Sequence, residues 1–223
     1  MKNNFKVRLI VSIGLIIVAT VFLSICEGLP FKIFFSTFAA VATIELCSFF
    51  KKSHTPVNII LSIAEIAFLI FGSIAIFKPS LLGIIAIILG VCGYDIFAYF
   101  FGGLIGGYLF PKSRPFPHIS KNKTWEGTFM GLICSFLLCG IFILASNQTN
   151  YIYLLCGPLA VIGDLFESML KRTFKVKDSN EIIVKKKPFD LLEILVGGNA
   201  GHGGFLDRID SIAFTCAVLF FLI

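Results

Sequence analysis

Asp164 and Glu167, and again Asp207 and Asp210, are acids spaced three residues apart. On a helix, positions i and i+3 share a face, so each pair presents two carboxylates in one direction. Carboxylates held together repel unless a cation lies between them, and oxygen donors open to water suit Mg²⁺ better than a transition metal. Basic residues accompany the acids. "KRTFKVKD" supplies Lys171, Arg172, Lys175 and Lys177, then Asp178, while "PHISKNKTWEG" supplies His118, Ser120, Lys121, Lys123, Thr124 and Glu126. Lys and Arg neutralise phosphate oxygens while a carboxylate-held metal bridges them, the division of labour in phosphoryl and nucleotidyl transfer. Gly201, Gly203 and Gly204, around His202, let backbone N–H groups approach an anion at the start of a helix, whose dipole favours negative charge. The pattern points to metal-assisted phosphate chemistry.

The elements that must position these groups are membrane helices. Of 223 residues, 57% are hydrophobic and only 14% charged, and the 26 Phe exceed what one soluble core of this size would hold. An all-α, polytopic protein is expected, with apolar spans at about 9–26, 30–50, 57–77, 80–101, 127–146, 151–170 and 209–223. A further run, "LLEILV" at 191–196, is too short to cross and is expected at the interface. With seven spans and a cytoplasmic N-terminus, all but two of the 19 Lys and Arg residues fall on the cytoplasmic side, the exceptions being Lys32 and Lys78. That asymmetry is what the positive-inside rule requires. Residues 1–79 then form three N-terminal spans, and 80–223 a catalytic membrane region with an inserted loop at 179–200.

The same topology gathers seven of the 13 acids near the cytoplasmic ends of the helices: Asp95, Glu126, Asp164, Glu167, Asp178, Asp207 and Asp210. A cation or proton transporter would spread its acids through the depth of the bilayer, which disfavours that reading. Glu45 is expected to be solvated near the end of its span, and Glu65 has no assigned role. The seven cysteines contain no CxxC pair and lie in or beside apolar runs, so neither zinc nor a disulfide framework is expected. Pro158 is expected to kink the sixth span and open room near Asp164. Gly102, Gly103, Gly106 and Gly107 form a small-residue face for packing within one chain or between two. The net charge of +6 is absorbed by topology and phosphate binding, and no nucleic acid is expected as a partner.

These blocks resemble the phosphatidate cytidylyltransferases (CDP-diacylglycerol synthases), whose signature reads S-x-x-K-R-x4-K-D followed by G-H-G-G-x-x-D-R-x-D. "SMLKRTFKVKD" (Ser168 to Asp178) and "GHGGFLDRID" (Gly201 to Asp210) match both halves, and "DIFAYFFGGLIGG", "ISKNKTWEG" and "GDLFES" are similar to the family as well. The resemblance implies transfer of CMP from CTP to phosphatidate, giving CDP-diacylglycerol and pyrophosphate at the cytoplasmic face. It implies Asp178, Asp207 and Asp210 as metal ligands, with Asp164 or Glu167 contributing. Lys171, Arg172, Lys177 and Arg208 would hold phosphates, with His202 in the catalytic set. Lys121, Lys123, Ser168, Asp95, Gly201, Gly203 and Gly204 would line the substrates. Mg²⁺ is the implied cofactor, with a second cation left open, and the implied partners are membrane lipids and a second copy in a homodimer. The rival within reach of the same residues is a CTP-dependent polyprenol- or phytol-type lipid kinase.

Overall fold

The computed structural model describes residues 28–49, 55–111, 113–117, 119–120, 123–147, 149–175 and 206–222. The expected first span, the 191–196 run and the 179–200 insertion lie outside them. Every regular element among the described residues is helical: α1 (Leu29–Phe49), α2 (Pro56–Ala75), α3 (Leu81–Leu104), α4 (Trp125–Ala145), a 3₁₀ segment (Tyr151–Leu155) leading into α5 (Cys156–Thr173), and α6 (Leu206–Leu222). Five of these stretches are long and apolar enough to cross a membrane, and α6 contributes a shorter apolar helix from Ile209 to Leu222. Large apolar side chains such as Ile44, Ile60, Ile133, Ile141 and Leu144 face outward, as they do where lipid replaces water.

Local sequence marks the helix starts. Thr55 accepts from Asn58 N with Pro56 in the first position, Ser80 accepts from Gly83 N, and Thr124 accepts from Gly127 N. Each side-chain oxygen satisfies an N–H that the helix itself leaves unpaired. Pro158 corrects the expectation of a kink. It is the third residue of α5, in the first turn, where its missing N–H costs little. What changes there is the winding, from 3₁₀ to α at Cys156.

Small residues set the spacing of the bundle. On α4, Gly127, Gly131, Ser135 and Cys139 recur every fourth residue and form one seam against α3. A Cβ at Gly127 would meet Ala98 O at 2.6 Å, one at Gly131 would meet Ala98 Cβ at 2.8 Å, and Ser135 Oγ donates to Gly90 O at 2.7 Å. Without a hydrophobic drive between helices in lipid, such close approach and interhelical hydrogen bonding hold the pair. The Gly102 face is therefore used inside the chain, against Thr124 and Gly127, while Gly103 has open space around it. α6 is seated likewise: a Cβ at Gly72 of α2 would lie 2.6 Å from Ala213 O, and one at Gly163 of α5 would lie 3.0 Å from Ser211 Cα.

The two lysines expected opposite the site close that end of the bundle. Lys32 Nζ donates to Phe77 O and Pro79 O at 3.3 Å, and Lys78 Nζ donates to Phe220 O at 3.3 Å. Phe77 and Pro79 follow the end of α2, and Phe220 lies in the last turn of α6, where carbonyls lack partners and the dipole favours a cation.

Candidate active site

Three acids lie equally far from an end of their own helices. Glu65 is nine residues in from Pro56, Asp95 nine from Leu104, and Asp164 nine from Thr173. At 1.5 Å per residue each is about 14 Å inside its helix. Sequence reasoning had placed Asp95 and Asp164 near the helix ends, but α3 and α5 continue beyond them. α6 begins at this inner level, because Gly72 and Ala213 meet seven residues after Glu65 and Leu206 respectively. Asp210, in the first turns of α6 and 7% exposed, joins the layer from that side.

The layer is electrostatically one unit. Asp95 lies within reach of the charges of Asp164, Asp210 and Lys123, and Glu65 within reach of Asp210. Lys123, delivered by the segment before α4, forms an ion pair with Asp164, whose side chain stays 30% exposed. Ser168 Oγ donates to Asp164 Oδ1 at 3.4 Å from one turn further along α5. Tyr94, almost fully buried, precedes Asp95 on α3, and its ring and backbone lie against Gly131 of α4. Like charges at such separations demand a counter-charge. Lys123 supplies one.

Toward the outer turns of α5 the site becomes basic. Lys171 Nζ pairs with Glu167 Oε2 at 2.6 Å, one turn away on the same helix. Arg172 is exposed and donates from Nε to Ile119 O at 3.1 Å. That bond ties "ISKNK" to the "KR" block across 53 positions, joining two motif segments that the sequence could only juxtapose.

Glu126 is organised by the chain around it. Its Oε1 accepts from the backbone N–H groups of Gly107, Leu109 and Phe110 at 3.0, 2.9 and 3.0 Å. Gly107 adopts φ +84°, a conformation that aims successive N–H groups inward. The carboxylate therefore holds the turn after α3 against the start of α4, and Trp125 Nε1 adds a 3.1 Å bond to Ser113 Oγ.

Of the residues singled out from the sequence, Asp95, Asp164, Asp210 and Lys123 are brought together, and Ser168, Glu167, Lys171 and Arg172 line the adjoining turns of α5. Lys121, Lys177, Asp178, Gly201, His202, Gly203 and Gly204 lie outside the described residues, as do the side chains of Asp207 and Arg208. Glu45 is the plain correction. It is 2% exposed, not solvated, and its Oε2 accepts from Leu206 N at 3.0 Å. Glu65, buried beside Asp210, gains the neighbour it lacked. Only its i, i+3 relation to Ser62 and i+7 relation to Asn58, a polar line along an apolar helix, could have signalled its face.

The donors of this layer are carboxylate oxygens, the chemistry of a hard divalent cation and not of zinc. Among the described residues no three of these groups lie close enough to enclose an ion. Asp95, Asp164 and Asp210 are the described acids that supply this donor type to the layer.

Comparison with known proteins bears on what such a site does. Residues 59–186 match the model of the cytidylyltransferase family. The chain is 40% identical over 130 residues to the phosphatidate cytidylyltransferase of Haemophilus influenzae, covering 54% of this chain and 39% of that one. It is 38% identical over 135 residues to the Bacillus subtilis protein of that name, covering 58% and 42%. With the Helicobacter pylori phosphatidate cytidylyltransferase it shares 28% identity over 229 residues, covering 98% of this chain and 76% of that one. The chain thus matches less than half the length of the first two relatives and about three quarters of the third.

Proposed function

The chain belongs to the cytidylyltransferase family, and from that premise we propose that it transfers CMP from CTP to phosphatidate, yielding CDP-diacylglycerol and pyrophosphate. The observation that carries this reading is the layer of Asp95, Asp164 and Asp210 around Lys123, adjoining the basic last turns of α5. A phosphatidate oxygen attacks the α-phosphorus of CTP, the new O–P bond forms, and the bond to the β-phosphate breaks with its electron pair leaving on pyrophosphate. A phosphate monoester is already anionic near neutral pH, so no general base is required. Lys171, Arg172 and Lys123 hold phosphate oxygens through charge-assisted hydrogen bonds, joined by Lys121, Lys177 and Arg208. Asp95, Asp164 and Asp210, with Glu167, Asp178 and Asp207, would hold Mg²⁺. Bound there, the ion supplies positive charge against that developing on the leaving group.

The membrane setting belongs to the same proposal. Lys123, Lys171 and Arg172 lie at one end of the bundle and Lys32 and Lys78 at the other, which supports a cytoplasmic site, a cytoplasmic N-terminus and seven spans. A cysteine-free variant carrying Ser113→Cys or Asn150→Cys, treated with an impermeant maleimide in sealed inverted vesicles, tests it. Labelling of the first alone agrees, and labelling of the second alone reverses the topology.

The function is tested with purified protein, CTP and phosphatidate, with and without Mg²⁺, beside Asp210→Asn. CDP-diacylglycerol and pyrophosphate, lost without metal and in the variant, are expected. Folded wild-type protein that makes no CDP-diacylglycerol would sink the assignment, and CDP formation with a polyprenol would replace it with a kinase.

A further inference from the structure

Glu45 stands apart from every motif block and upstream of the residues that match the family model. It lies in "TIELCSF", an otherwise uncharged stretch of α1, with 2% of its surface exposed. A buried carboxylate is costly in such surroundings, and an apolar side chain of the same length would pack there at less expense. Its partner explains why an acid is kept. The first N–H groups of a helix have no acceptor within it, and their partial positive charge favours a carboxylate. Caps ordinarily come from the residue just before the helix. Leu206 N instead donates to Glu45 Oε2 across 161 positions.

That bond has a second consequence, which follows from how α6 is held elsewhere. Its contacts at Gly72 and Gly163 are close approaches of backbone to backbone. Such non-directional contacts fix the distance between helices more firmly than the slide along the axis. A directional hydrogen bond at the first turn opposes that slide. Glu65 of α2 sits beside Asp210, so acids from both α1 and α2 bracket the start of α6.

Resting on the function proposed above, we infer that Glu45 is a positioning residue, which pins the first turn of α6 and sets the level at which Asp210 meets Asp95 and Asp164. The N-terminal helices then do more than anchor the chain in lipid. They complete the site.

The test compares Glu45→Met, which keeps length and packing but accepts no hydrogen bond, with Glu45→Gln, whose amide oxygen still accepts one. Three readouts are taken on the full-length protein in detergent: the thermal midpoint, hydrogen–deuterium exchange across 206–210, and turnover with CTP and phosphatidate. For Glu45→Met the midpoint should change little, since losing the acceptor for Leu206 N is offset by burying an apolar group where a carboxylate stood. Exchange across 206–210 should accelerate roughly tenfold or more, and turnover should fall by a similar factor. Glu45→Gln should return both to within about threefold of wild type, as a neutral acceptor partly replaces a charged one. A packing role would instead make turnover follow the midpoint. Unchanged exchange at the start of α6, or Glu45→Met turning over like wild type, overturns the inference. If wild-type protein makes no CDP-diacylglycerol, the proposed reaction falls, and the exchange result alone decides whether Glu45 pins α6.

Discussion

Replacing Gly163 by alanine puts a methyl group into the contact that brings α5 and α6 together beside the acid layer. A Cβ there would lie 2.9 Å from Phe214 Cβ, 3.0 Å from Ser211 Cα and 3.4 Å from Asp210 O. Non-bonded carbons settle at about 3.5–4.0 Å, so the helices must part by roughly 0.5–1 Å. Ser211 Cα is backbone and cannot rotate aside. Overpacking of this kind costs about 1–3 kcal/mol. Alanine returns up to about 1 kcal/mol as a better helix former, leaving a net loss of about 0–2 kcal/mol. Chemistry should suffer more than stability. Asp164 adjoins Gly163 and Asp210 adjoins Ser211, so parting the helices separates acids that act as a unit. Misplacement by about 1 Å can cost on the order of 100-fold in rate. The assay pairs thermal unfolding, followed by a thiol-reactive dye on the buried cysteines, with CDP-diacylglycerol formation. Gly140→Ala is the control, since its Cβ would meet nothing closer than Leu154 Cδ2 at 3.9 Å. A small drop in midpoint with a disproportionate loss of turnover is expected for Gly163→Ala alone. Indistinguishable behaviour of the two variants would refute the argument.

Other perturbations separate the parts of the site. Lys123→Met removes the lysine paired with Asp164 and should raise KM for CTP by roughly tenfold, the worth of a charge-assisted phosphate contact; an unchanged KM would remove Lys123 from nucleotide binding. Glu126→Gln weakens the acceptor for three N–H groups, so amide exchange across 107–110 should accelerate while that of α6 stays unchanged. At the far end, Lys78→Ala loses a carbonyl contact and a cation held 3.9 Å from the Phe220 ring centroid. It should cost about 0.5–1 kcal/mol by thermal unfolding and leave turnover untouched.

Much of this protein is written in short stretches of its chain. Composition alone demands membrane helices, because 57% hydrophobic residues leave too few polar groups to cover a soluble domain. Helix starts are equally local, set by Thr55, Ser80 and Thr124. The motif blocks are legible because residue type and spacing on one helix fix which side chains share a face, as with Ser168, Lys171 and Arg172. Glu45 and Glu65 were opaque for the opposite reason. Each is a lone acid in an apolar run, and its meaning depends on which helix lies opposite and at what height.

Composition, spacing and charge asymmetry are enough to mark a membrane protein and the kind of chemistry its polar blocks suit. Depth and pairing come from contacts between helices. The glycine contacts at Gly72 and Gly163 bring α6 against α2 and α5, with Leu206 level with Glu65 and Asp210 beside Gly163 and Asp164. With α6 at that height, Asp210 lies within reach of Glu65 and Leu206 N donates to Glu45. Spacing along one helix cannot carry that information, because the height and rotation of one helix against another are set by contacts between residues far apart in the chain.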